Sequence, residues 1–222
     1  MNDAAIYKTG YICGLVAFTT IMAYIIIRSM QITGSVNYPY QEQLIYSIST
    51  LMALAFLLEI LALLYSVPTN KKIWSHAALL FALLYVVFIT TSCIVEFTVI
   101  IPAKVQGEIQ NIPFLKQYTR PIFRFIDAIA YICMGISTFF SHLALHKIGF
   151  QHITRILLLI HSCTTPLIMF MCIYPDYSSN LLVLVLPWAV TAPAALLSLA
   201  IVFRRKYITE IPNHRYVHKD LN

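Results

Sequence analysis

A stripe of five polar residues runs along one apolar stretch of this chain. Ile122 to Leu145 (IFRFIDAIAYICMGISTFFSHLAL) carries Arg124, Asp127, Tyr131, Thr138 and His142. At roughly 100° per residue, the five fall within about 60° of one another on a single helical face. Lipid cannot satisfy such a stripe, so it must face protein, water or a ligand. Two more carboxyls, Glu59 and Glu96, lie inside apolar blocks of their own. A carboxyl inside a membrane span costs at least about 2.5 kcal/mol on insertion scales, so each of these needs a partner or a task.

Asp127 admits a structural and a functional reading. Arg124 lies one helical turn before it, at a spacing where side chains can meet and pair. Glu96 has a structural reading as a hydrogen-bond partner of Ser92 or a nearby tyrosine. Neither Glu96 nor Glu59 has a cation in sequence reach, which favours a functional role. A protonated carboxyl can act as a general acid or as a proton-coupling site.

The other chemical signals are weaker. His142 and His146 are one turn apart, a spacing that can hold a metal on one helix face. Asp127 is fifteen residues from His142, about 22 Å along a helix axis, and cannot complete that site. Haem ligation by His142 and His161 is conceivable but has no further support, and the histidines read as residues of a helix end. Cys13, Cys93, Cys133, Cys163 and Cys172 all lie in apolar blocks and form no CxxC. No disulfide framework, metal site or cofactor is expected. There is no Gly-rich phosphate loop, GxSxG, HExxH or Arg-rich voltage-sensor pattern.

The elements that must position these residues are apolar blocks. The chain has 222 residues, of which 59% are hydrophobic and 11% charged. Soluble domains have about 25% charged residues. Blocks near twenty residues long match the length needed to cross about 30 Å of hydrocarbon. Six spans are expected, at about 9–27, 44–66, 76–101, 122–146, 155–174 and 180–203. The fold class is therefore an all-α, polytopic integral membrane protein: a six-helix transmembrane bundle forming one domain over 1–203, with a basic tail over 204–222. The first block is too long for a signal peptide, and no A-x-A-like cleavage site follows it. Between the third and fourth spans, Ile112, Phe114, Leu115 and Tyr118 suggest an interfacial or lid segment. Pro166, Pro187 and Pro193 should bend the last two spans, since proline removes a helix hydrogen bond.

An even number of spans places both termini on one side. With the N-terminus cytoplasmic, ten Lys and Arg fall inside and five outside. Both termini are accordingly expected in the cytoplasm, with the protein in the cytoplasmic (plasma) membrane. The net charge of +6 is a topology signal rather than a nucleic-acid footprint. Membrane lipid is the expected partner, and the basic tail could touch anionic headgroups.

With that orientation, Glu96 and Asp127 each sit six residues from the outer boundary, roughly 9 Å deep by helical rise. Trp188 comes out at a comparable depth, and Glu59 lies deeper. The reading is an outward-facing polar pocket with Glu96, Asp127, Arg124 and Tyr131 near its mouth, for a small or lipophilic ligand, of binding or transport type. One rival is an intramembrane acid–base enzyme acting on a lipid or isoprenoid-like substrate through Glu96 and Asp127. The other is a non-catalytic assembly subunit that docks a partner helix through the polar stripe.

Overall fold

The apolar blocks become helices that run past their apolar limits. A computed structural model describes residues 3–32, 35, 39–107, 119–173 and 186–217; within these, the side chains at 32, 119–124, 171–173 and 210–217 are left out of the description. The helices are α1 (Asp3–Ile32), α2 (Tyr40–Ser66), α3 (Lys72–Val95), α4 (Ile101–Val105), α5 (Thr119–Ala144), α6 (Gly149–Ser162), α7 (Thr165–Ile173) and α8 (Leu186–Val217). Among the described residues there is no strand. Six helical stretches are long and apolar enough to cross a membrane, which is compatible with a multi-pass membrane protein. The segment containing Ile112, Phe114, Leu115 and Tyr118, the Pro175–Ser179 connection and the Cys172 side chain lie outside the described residues.

The helices close into a ring. α1 packs on α2, α2 on α3, α3 on α5, α5 on α6, and α6 on α8; α8 returns to α1. The outer faces are apolar, and polar residues sit inward among a largely apolar core. On α2, Leu44, Leu51, Leu54, Leu58 and Tyr65 are exposed, while Ser49 and Glu59 are buried. On α3, Leu80, Leu83, Val87 and Ile94 are exposed, while Tyr85 and Ser92 are buried, as is Glu96 just beyond it. An apolar exterior of this extent exceeds what soluble monomers present to water.

Prolines shape the helices in different ways. Pro166 stands in the first turn of α7, and the chain breaks from helix to turn at Cys163 and Thr164. The missing N–H at 166 would have bonded back into α6, so the helix ends there. Pro102 lacks an N–H and its ring crowds the carbonyl at 98. The preceding turn, Glu96–Ile100, widens into a π-helix, with the Ile101 N–H donating to the Glu96 carbonyl. Pro187 is the second described residue of α8 and lies within a stretch long and apolar enough to cross a membrane. Pro193 lies inside α8, which stays helical on both sides of it.

The basic tail is also not a separate appendage as far as Val217, because α8 continues unbroken through Arg204–Lys206. These cations lie back on aromatic faces: Arg204 over Tyr11 at 6.0 Å, Arg205 over Phe150 at 4.3 Å and Lys206 over Tyr7 at 5.4 Å. Their alkyl stems follow the bundle while the charged heads reach its end.

Candidate functional site

The site is built at one end of the ring, where α1 leaves the bundle and α2 enters it. Arg28 lies in α1, four residues before Ile32, and Glu42 in the first turn of α2. The placement of Glu42 suits the helix dipole, which favours an anion near an N-terminus. The two are linked through Gln31. Arg28 Nη1 donates to Gln31 Oε1 at 2.7 Å, and Gln31 Nε2 donates to Glu42 Oε1 at 2.9 Å. Arg28 Nε also donates to the Tyr24 hydroxyl at 3.3 Å, and the guanidinium lies 5.6 Å from the Tyr24 ring centroid. Tyr24, Arg28 and Gln31 thus form one inward-facing row at helical spacing.

Across from this row stands Asp127 of α5. A cavity of about 10 Å³ separates the elements, lined by Tyr24, Arg28, Tyr46, Ser49, Asp127 and Tyr131, with Ile45 and Ile89 as apolar wall. That is room for about one water molecule. The guanidinium hydrogen bonds go to Tyr24 and Gln31, not to Asp127. Ser92 of α3 faces Asp127. Its hydroxyl forms no well-shaped hydrogen bond.

Behind the cavity runs a chain of aromatic rings. Tyr24 meets Trp188 edge-on at 6.1 Å, and Trp188 meets Tyr131 edge-on at 5.1 Å. Tyr131 is 6.2 Å from Tyr85, and Tyr85 is 5.8 Å from Phe56. Five helices contribute to this wall. The Tyr85 hydroxyl and Trp188 Nε1 are buried in it without protein partners. Buried polar atoms of this kind are uncommon and call for water, a ligand or a change of state.

The six residues singled out from sequence are distributed as follows. Asp127 and Tyr131 line the cavity, and Trp188 is its second layer. Glu96 is buried at the same end, within electrostatic range of Glu42, Asp127, Arg28 and Lys104, but is not part of the cavity lining. The hydrogen bond to Ser92 that its structural reading offers is not formed, and the Ser92 hydroxyl faces Asp127 instead. The Arg124 side chain lies outside the described residues; among the described residues, the cation that lines the Asp127 cavity is Arg28.

Glu59 is elsewhere. It is fully buried and packs against Gly14 of α1, beside Ala200 of α8, with neither carboxyl oxygen partnered. It therefore does not extend the Arg28–Asp127 cavity inward.

The residues missed by sequence reading are Tyr24, Arg28, Gln31, Glu42, Tyr46 and Ser49. Sequence alone places Arg28 in a loop, because the apolar block ends at Ile27. The available signal was the spacing of Tyr24, Arg28 and Gln31, which continues a helical face for one more turn.

The opposite end is basic. Lys71 Nζ and Arg155 Nη1 both donate to the Leu145 carbonyl, the latter at 3.0 Å, and Lys206 Nζ donates to the Ser66 carbonyl at 3.0 Å. These cations satisfy carbonyls that the ends of α5 and α2 leave without helical partners. His142 belongs here, with Nδ1 2.8 Å from the Arg155 carbonyl and Nε2 3.3 Å from Arg155 Nη2. His161 is engaged separately, its Nδ1 3.1 Å from Thr191 Oγ1. Among the described residues, no group of three or more His, Cys, Asp or Glu is arranged to hold a metal. No family model, curated protein or solved structure matches the chain.

Proposed function

We propose that this protein is an integral membrane protein whose Arg28–Asp127 cavity receives a small ligand, in a binding or transport role. The observation that carries the reading is the cavity itself. Three helices place an arginine, an aspartate, three tyrosines and a serine around one small polar space. Such residues are costly in a membrane interior unless they do something there. At about 10 Å³ the space is closed to any organic molecule. A ligand would enter when α1 and α5 part. The π-helical turn at Glu96–Ile100 and the break between α6 and α7 are the points where such movement would be absorbed.

The ligand chemistry follows from what is already engaged. Arg28 is held by Tyr24 and Gln31. Asp127 keeps acceptor capacity toward the cavity, and Tyr131 and Trp188 present aromatic surface behind it. A ligand with a cationic or hydrogen-bond-donating head and an apolar body fits that arrangement. Glu96 lies outside the lining, so the cavity gives the acid–base enzyme reading no common space for both carboxyls.

The orientation proposed is both termini in the cytoplasm, supported by the gathering of Lys71, Lys147, Arg155 and Lys206 at one end. Trp188 offers a built-in reporter, because the only other tryptophan, Trp74, stacks on Phe140 away from the cavity. In a Trp74→Phe background, titration with the lipophilic cation tetraphenylphosphonium should change Trp188 emission saturably. Asp127→Asn should abolish that response while the lipophilic anion tetraphenylborate gives none in either protein. An unsaturable response, or one untouched by Asp127→Asn, would overturn the reading.

A further inference from the structure

At the basic end, a groove of about 200 Å³ opens between the start of α6 and the C-terminal half of α8. Its polar lining is Arg205, Lys206, Gln151 and Thr209, and its apolar lining includes Ile148 and Phe150. Among the described residues, no acidic side chain is part of the lining.

The polar groups are held rather than loose. Arg205 lies 4.3 Å over the Phe150 ring, and Lys206 is tied to the Ser66 carbonyl. Gln151 Oε1 accepts the His146 N–H at 3.2 Å, which leaves the amide NH₂ as its donor. Thr209 Oγ1 donates to the Arg205 carbonyl at 2.6 Å and keeps lone pairs for an incoming hydroxyl. A fixed guanidinium beside an ammonium and an amide is a donor set suited to phosphate oxygens. Lys71 adds positive charge nearby: with Lys206 it acts on His146, whose pKa is lowered by burial first and by these two cations second.

The apolar surroundings point to the source of the phosphate. Ile148 is 76% exposed and Ile208, on the neighbouring turn of α8, is 55% exposed. Apolar surface directly beside a phosphate-binding donor set matches a molecule that carries both. We propose that this groove binds the phosphate of an anionic phospholipid headgroup, with the acyl chains lying along Ile148 and Ile208.

The test uses the full chain in neutral detergent, with bound lipid counted by native mass spectrometry. Dioleoylphosphatidic acid should bind about tenfold more tightly than dioleoylphosphatidylcholine, the scale of one charge-assisted contact. Arg205→Gln should remove most of that preference. Gln151→Glu, which keeps the acceptor for the His146 N–H but adds a negative charge to the groove, should do the same and guards against misfolding of the arginine variant. Lys147→Gln removes the same charge outside the groove and should leave the preference within about twofold, as expected for a screened surface charge. Competition with sodium phosphate separates the sources. Displacement of the lipid means the phosphate group alone is recognised; retention means that it must be lipid-borne, and either sustains the site. Equal loss in Lys147→Gln and Arg205→Gln, or no preference for phosphatidic acid in the parent, would overturn it.

Discussion

Gly14 and Glu59 occupy space that a larger residue at position 14 would close. A Cβ on Gly14 would collide with Glu59 Oε1 and come within 2.7 Å of the Ala200 Cβ. Gly14→Ala should therefore destabilise the bundle by about 1–3 kcal/mol, the usual cost of overpacking. The part of that cost due to Glu59 should vanish in a Glu59→Ala background while the Ala200 contact remains, a coupling that a double-mutant cycle of unfolding in detergent would read directly. The carboxyl has no hydrogen-bond partner among the described residues. Replacing it by an apolar side chain of similar length removes the desolvation cost, so Glu59→Met should raise stability by about 1–3 kcal/mol. A clear loss of stability in Glu59→Met would mean that the carboxyl has a partner. None of this was readable from the sequence. Glu59 stood out as a carboxyl in an apolar block, but which helix faces it depends on how α1, α2 and α8 rotate about their axes. Periodicity within one helix does not determine that.

Helix ends are where sequence reading and structure diverge most. Apolar blocks mark where a helix needs hydrocarbon around it, not where its hydrogen bonds stop. α1 continues through Arg28 to Ile32, and α8 continues through the basic run to Val217. The first extension carries Arg28 to the cavity, and the second builds the phosphate groove. The apolar blocks themselves were legible because exposed leucine and isoleucine dominate the outer faces. The polar interior was only half legible: Asp127 and Tyr131 declared themselves on α5, whereas Tyr46 and Ser49 of α2 look unremarkable without their neighbours. Capping at the basic end gives a test at this scale. Lys206→Ala frees the Ser66 carbonyl at the end of α2 and should lower stability by about 1–3 kcal/mol. His146 adds a pH dependence. Its pKa in the folded protein lies below the ordinary 6.5, through burial first and then Lys71 and Lys206. The unfolded chain then takes up a proton before the folded one does. This contribution to stability should be complete above pH 6.5 and fall as pH drops below it, and His146→Gln should remove that share of the pH dependence in thermal unfolding.

The whole molecule is a ring of helices with contrasting ends. One end gathers Arg28, Glu42, Glu96 and Asp127, with a closed polar space lined by Arg28 and Asp127. The other gathers Lys71, Lys147, Arg155 and Lys206 around helix C-termini. Charge asymmetry of this kind is what orients a chain across a membrane, and the proposed ligand cavity lies at the mixed-charge end. The decisive question is whether the cavity opens to a ligand at all. Ser49 lines it from α2 and can be replaced by cysteine without altering the charges around it. In a background with the native cysteines replaced, Ser49→Cys in membrane vesicles should react with the cationic reagent 2-aminoethyl methanethiosulfonate. Tetraphenylphosphonium should slow that reaction in proportion to its occupancy. If the folded protein leaves the introduced thiol unreactive, or if that thiol reacts at the same rate with and without tetraphenylphosphonium, then the Arg28–Asp127 cavity is not a ligand site.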